Sequence, residues 1–161
     1  MSSNLPSRRF ALLGLLALGG CGFAPVYGNG TGLRDMIAFE TDDSVAGYRM
    51  RVQLEQRLGQ ASAARYVLQV TQTQERRSAA ITDDGDTTRY NVTGTAKWTL
   101  TDSTTGQRIE TGEVDAFTSY SATGSTTATQ AAATDATARL SVILADMIAD
   151  RLLILSPSLT P

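Results

Sequence analysis

The chain has 161 residues, with 14 basic and 16 acidic side chains, a net charge of −2 and no histidine. It carries no overall positive field for nucleic acid, and it lacks both the usual general base near neutral pH and the commonest metal ligand. Hydrophobic residues at 42% allow one real core, and charged residues at 19% argue against wholesale disorder, so one compact domain with extensions is expected.

The N-terminus reads as a leader. Arg8 and Arg9 precede "FALLGLLAL" at positions 10–18. That run is far shorter than the roughly 20 residues of a spanning helix and matches the apolar region of a signal peptide. Gly19 and Gly20 then precede Cys21, the chain's single cysteine, which has no disulfide partner and no zinc-site spacing around it. "LGGC" resembles the bacterial lipobox, with glycine at −2 where alanine or serine is more usual. The resemblance implies cleavage before Cys21, a diacylglycerol thioether on its sulfur and an acyl chain on the new amino terminus. Residues 1–20 are then a lipoprotein signal peptide. "SRRFALL" is faintly similar to a twin-arginine signal, but its phenylalanine lies one place early, and ordinary Sec export ranks higher. Gly22, standing where aspartate would signal inner-membrane retention, favours the outer membrane. A buried helix with a core cysteine, or a signal peptide cut elsewhere, are the alternatives.

Residues 21–34 read as a lipidated N-terminus and flexible tether, rich in glycine and with one proline. Its "GNGTG" follows no strand and lacks the lysine of a phosphate loop. A single domain is expected over 35–156, with a tail at 157–161. "MIAFE" (36–40) is a short strand. Asp42, Asp43 and Ser44 offer N-cap chemistry for a helix over 44–58, stopped by Gly59. That helix has two apolar rows. Val45, Tyr48 and Val52 form one, and Met50, Leu54 and Leu58 form another on nearly the opposite side. One row suffices to cover a sheet. The second is expected to meet another helix, or a partner protein.

Period-two alternation follows. Tyr66, Leu68 and Val70 share a face, as do Tyr90, Val92, Ala96, Trp98 and Leu100. "TDDGDT" between them carries an Asp-Gly turn signal, which predicts a long hairpin centred near Asp84 and Gly85, with Val70 beside Trp98. Gln72, Gln74 and Arg76 lie further out on the buried side, so the hairpin tip should project beyond the core. Asp83, Asp84 and Asp86 lack the spacing of a calcium loop, and turn chemistry explains them better. A turn at "DSTTG" (102–106) leads to a fourth strand, whose change of phase around Gly112 suggests a bulge. A long helix from about Ser125 to Leu155 follows, with Ala132, Ala136, Leu140, Ile143 and Met147 as its stripe, and Pro157 ends it. The predicted fold class is α+β: a four-stranded, mostly antiparallel sheet with two helices packed on one face, in the order β-α-β-β-β-α. The opposite face, rich in Thr, Asn, Gln, Arg and Lys, suits solvent or a polar lumen.

"CGFAPVYG" (21–28), together with the element order and length, resembles the LptE family of lipopolysaccharide-assembly outer-membrane lipoproteins, in particular its alphaproteobacterial branch. That resemblance implies a lipid-anchored plug on the periplasmic side of the outer membrane. Its partners would be an LptD-like β-barrel and lipopolysaccharide, with no catalytic residue and no cofactor beyond the lipid on Cys21. Arg76, Arg77, Arg89 and Lys97 on the hairpin are candidate contacts to lipopolysaccharide phosphate or to the barrel wall. A solvated strand face is the ordinary alternative for them. A generic envelope lipoprotein with a peptidoglycan or other ligand, and a pilotin-like adaptor for another complex, are the rival functions.

Overall fold

A computed structural model describes residues 33–83 and 85–159, apart from the side chain at 158, and these residues belong to one compact unit. Cys21, the leader, most of the tether and Asp84 lie outside the described residues. Six elements follow one another among them: β1 (Ile37–Thr41), α1 (Val45–Leu58), β2 (Tyr66–Ile81), β3 (Thr87–Asp102), β4 (Arg108–Ser121) and α2 (Thr126–Leu159). The strands form one sheet in the order β1-β2-β3-β4, with β1 parallel to β2 and the other pairs antiparallel. A parallel pair cannot be joined by a tight turn, and α1 supplies the crossover.

Local chemistry sets the helix ends. Ser44 caps α1 by accepting from the Gly47 N–H at 2.9 Å. Gly59 closes it at φ 81°, its N–H donating to the Glu55 carbonyl, and a β-carbon there would strike the Asp35 carboxylate. Leu33 is only 2% exposed, so the core begins inside the stretch read as tether. Gln53 and Arg57 of α1 bond to Asp146, and Arg57 also to Asp150, so the partners ascend together and the two helices run parallel.

Both helices cover the same sheet face. Ile37 and Phe39 of β1, Leu68 and Val70 of β2, Ala96, Trp98 and Leu100 of β3 and Val114 of β4 are buried beneath them. Val70 pairs with Trp98, as the turn position predicts. On α1, however, Met50, Leu54 and Leu58 are the core row, while Val45 and Tyr48 are exposed. The row expected to cover the sheet is the outer one, because α1 sits at the β1 edge with its inner side shared between β1 and α2. On α2 the stripe starts as predicted at Ala132, Ala136 and Leu140 but continues through Leu144, Ile148 and Leu152; Ile143 and Met147 are over a third exposed. The adjacent buried pairs Leu140–Ser141, Leu144–Ala145 and Ile148–Ala149 fix the inner side of this long helix, and a step of three from Leu140 to Ile143 turns away from it. The first half, built of Ala and Thr, does come close to the sheet: the Thr118 hydroxyl of β4 donates to the Ala136 carbonyl at 2.9 Å.

Two further expectations are corrected. Pro157 does not end α2, which continues to Leu159. Proline removes only one backbone donor so near the terminus, and the Tyr66 hydroxyl donates to the Leu159 carbonyl at 2.8 Å, satisfying an otherwise orphaned acceptor. The bulge in β4 is at Ile109, where register shifts between the Leu100–Glu110 and Thr101–Arg108 pairs. Gly112 sits in regular register opposite Trp98, whose indole occupies the space a side chain would need. The hairpin tip projects as expected, with Glu75 to Ile81 exposed, while Gln72 and Gln74 are half-buried under α2, where Ser141 hydrogen-bonds both. Helix coverage therefore reaches further along the hairpin than the apolar residues indicate.

The second turn carries a pH signature. Asp102 accepts from the backbone N–H groups of Thr105 and Thr104, at 2.9 and 2.8 Å, and these bonds hold its carboxyl below the ordinary carboxylate range. A depressed folded-state pKa contributes stability above the unfolded value that is lost as pH falls through the folded one. Asp102→Asn should therefore melt below the parent chain at neutral pH, and the gap should close as pH drops below about 4. A gap constant from pH 7 to pH 3 would remove the carboxylate from the account.

Candidate functional site: the open sheet face and the hairpin arginines

Side chains on strands alternate, so burying one face leaves the other uncovered. Here that other face is polar. Thr71, Thr73, Thr93 and Thr95 run across its centre, with Gln69 bonded to Glu40 at one side and Thr95 bonded to Asp115 at the other. Phe117 of β4 is the large apolar exception, at 68% exposure. Hydroxyls and amides tied to neighbours make this face ordered while keeping hydrogen-bonding capacity for whatever lies against it.

The four basic residues singled out from sequence do not form one cluster. Register places Arg77 and Lys97 on the side of Thr71 and Thr95 but six positions apart along the hairpin, Lys97 opposite Thr71 and Arg77 opposite Asn91, with Arg89 nearer the tip. Arg77 already has a counter-ion: it bonds Glu75 at 2.8 Å, which lowers the glutamate pKa and raises its own through the hydrogen bond first and the charge second. Lys97 lies 3.7 Å from Glu113. Both pairs are exposed, where such contacts contribute little to stability. Arg89 has no ion-pair partner among the described residues.

Arg76 faces the opposite way, toward the helices. Its guanidinium stands 5.2 Å above the Tyr90 ring and reaches the Tyr120 hydroxyl at 3.4 Å, while Tyr90 and Tyr120 stack at 5.3 Å. Aromatic faces attract a guanidinium without neutralising it. Sequence reading missed Arg49, which shares a groove with Arg76. Linear spacing gives no sign of that meeting, because it depends on how α1 crosses the hairpin. The tyrosine platform was within reach, since Tyr90 and Tyr120 are register partners.

Among the described residues no group of three acidic or cysteine side chains is disposed to hold a metal, and no helix is long and apolar enough to cross a membrane. The family model for LptE, described as lipopolysaccharide-assembly, matches residues 35–152. The chain belongs to the LptE family. Solved structures agree on the fold. A protein from Caulobacter crescentus described as a lipoprotein is 24% identical, with 78% of this chain and 93% of that one covered and a TM-score of 0.65. A minor lipoprotein of Acinetobacter baumannii is 20% identical, covering 74% and 91%, at 0.58. Rare lipoprotein B of Shewanella oneidensis is 13% identical, covering 74% and 91%, at 0.54. No curated protein matches the sequence significantly. The LptE fold in this chain thus presents one helix-covered face and one bare, hydroxyl-rich face.

Proposed function

We propose that the chain is an outer-membrane lipoprotein, anchored through lipid on Cys21 and facing the periplasm. In this reading its domain plugs an LptD-like β-barrel and assists the passage of lipopolysaccharide to the cell surface. It acts without catalysis. Family membership supports lipopolysaccharide assembly. The observation that carries the plug itself is the uncovered sheet face: a rigid polar surface suits the lumen of an outer-membrane barrel, whose inward side chains are polar while its outward ones meet lipid. Arg77, Arg89 and Lys97 on that side, toward the tip, would meet barrel acids or lipopolysaccharide phosphates, where a guanidinium fork gives charge-assisted bonds.

Site-specific photo-crosslinking tests this. A photoreactive residue at Thr95 or Thr99, both on the bare face, is expected to capture one very large outer-membrane β-barrel. The same probe at Gln56, exposed on α1, is the comparison. Capture of peptidoglycan-associated or secretion-system proteins instead, or no capture from the sheet face, would overturn the plug.

A further inference from the structure

β4 is the last strand of the sheet, so one of its two edges has no neighbouring strand. The ladder tells which backbone groups that edge presents. Just past the strand the Ala122 N–H donates to the Thr88 carbonyl, whereas the Thr111 N–H turns to the side chain of its own neighbour Glu110, at 3.2 Å. Backbone groups alternate sideways along a strand, so the even-numbered residues from Glu110 onward bond β3. Thr111, Glu113, Asp115 and Phe117 then turn their N–H and C=O groups outward. Ser119 fits the series, since its carbonyl accepts from Arg139.

Beneath this edge, on the helix-covered side, lies a recess of about 340 Å³ between Gly112 and the last turns of α2. Gly112 is the register partner of Trp98, and the indole lies across it: Nε1 is 2.8 Å from the place of a β-carbon at Gly112. That N–H is buried, with Trp98 as a whole 5% exposed, and it has no hydrogen-bond partner among the described residues. An indole nitrogen only donates, and a buried donor left unpaired is costly, so the recess calls for an acceptor. The charged groups around it are Glu110, Glu113 and Arg151. Glu113 lies 3.7 Å from Lys97, while Glu110 and Arg151 have no ion-pair partner among the described residues. Both signs are present, and a charged guest would give up hydration for little return. A primary amide suits both ends: its oxygen accepts from Trp98 Nε1, and its NH2 donates to the Glu110 carboxylate.

We infer that β4 takes an additional strand from a partner polypeptide, whose Gln or Asn side chain enters this recess. Residues facing each other across two strands have β-carbons about 5 Å apart, so a guest residue beside Gly112 starts within reach of the indole. The missing side chain of Gly112 makes the room. Main-chain bonds to the outward groups supply affinity, and the recess supplies selection. Arg151 and Ile154 stand exposed at its rim, and exposed side chains change rotamer within nanoseconds, which lets it open. A second copy of this chain does not suit the edge. Centred on Gly112 it sets glycine opposite glycine and leaves the recess empty; centred on Glu113 or Val114 it sets acid against acid. Glu113 and Asp115 instead favour a strand with basic residues beside its amide. This edge is separate from the bare face, so the inference stands or falls without reference to the barrel.

The test uses the chain's single tryptophan, which gives one indole proton–nitrogen resonance in the purified, isotope-labelled full chain. The probe is the peptide Thr-Val-Lys-Gln-Lys-Val-Thr with acetyl and N-methylamide ends. It should move that resonance downfield in a saturable titration. The same peptide with Leu for Gln should bind at least about tenfold more weakly, because it leaves the donor unpaired, and so should the peptide with Glu for Gln. Glu113→Pro deletes one outward N–H without touching the ladder to β3, and should weaken the Gln peptide at least about tenfold with little change in melting temperature. Methylating the two lysine nitrogens of the peptide backbone tests the same bonds on the unaltered protein, and should abolish binding. An indole resonance that stays in place, equal affinity for the Gln and Leu peptides, tighter binding of the Glu peptide, or undiminished binding of the methylated one would each overturn the site.

Discussion

Exchanging Cys21 for alanine behind an ordinary cleavable signal peptide in place of residues 1–20, so that no apolar leader is retained, is expected to move the chain from the membrane fraction to the soluble one, in a host that lacks the cognate barrel. Each acyl chain contributes about 0.8 kcal/mol per buried methylene; a single chain holds a protein only marginally, and a second makes attachment stable. Among the described residues no helix is long and apolar enough to cross a bilayer. The change removes every chain at once, because the thioether is the first step and cleavage and N-acylation follow it. Mass spectrometry of the N-terminal peptide provides the second readout, with acyl increments on Cys21 in the parent chain and none in the variant. A variant that stays with salt-washed membranes, or a parent peptide with a bare thiol, would remove the anchor from the proposed function.

The second large effect separates two neighbouring residues on α2. Leu144→Ala should cost about 3–5 kcal/mol, because Leu144 is fully buried and lies against Gly94, where no side chain can move in to fill the space. For a domain of this size that is a large share of the whole stability and lowers the melting temperature by about 10 °C or more. Ile143→Ala, one position away, should cost no more than about 1 kcal/mol, since Ile143 is 39% exposed. Thermal melts of the two variants decide which row faces the sheet. Equal losses would mean that α2 is rotated from the orientation described.

That pair also marks how far the sequence could be read. Element order, the N-cap at Ser44, the stop at Gly59 and the Val70–Trp98 register all follow from local rules, because caps, turns and period-two alternation act over a few residues. Helix orientation does not. The segment from Leu140 to Leu155 is apolar on several sides, and a choice between Ile143 and Leu144 needs the position of the strands beneath. α1 has the same ambiguity: its two rows are nearly equivalent in sequence, and only packing against β1 and α2 makes Met50, Leu54 and Leu58 the inner one. Gly112 was legible as a special position, but its cause is the Trp98 ring lying over it, while the register shift belongs to Ile109.

The candidate site divides in the same way. Alternation along β2 and β3 placed the bare hydroxyl-rich face correctly, since strand periodicity alone determines it. Grouping Arg76 with Arg77 could not survive, as consecutive residues on a strand point to opposite faces. The meeting of Arg49 with Arg76 joins residues from a helix and a hairpin and is a property of tertiary packing.

The attachment of α2's last carbonyl to Tyr66 puts both ends of the folded body at one pole, since Ile37 is the register partner of that same tyrosine. β2 then runs away from this pole for 16 residues, about 50 Å at roughly 3.3 Å each, to the turn at its far end. If the N-terminus is anchored as proposed and the tip gripped, tension between them draws β1 and β2 in opposite directions along their length. The ladder from Ile37–Tyr66 to Thr41–Val70 then resists in shear, its bonds strained together instead of peeling one after another.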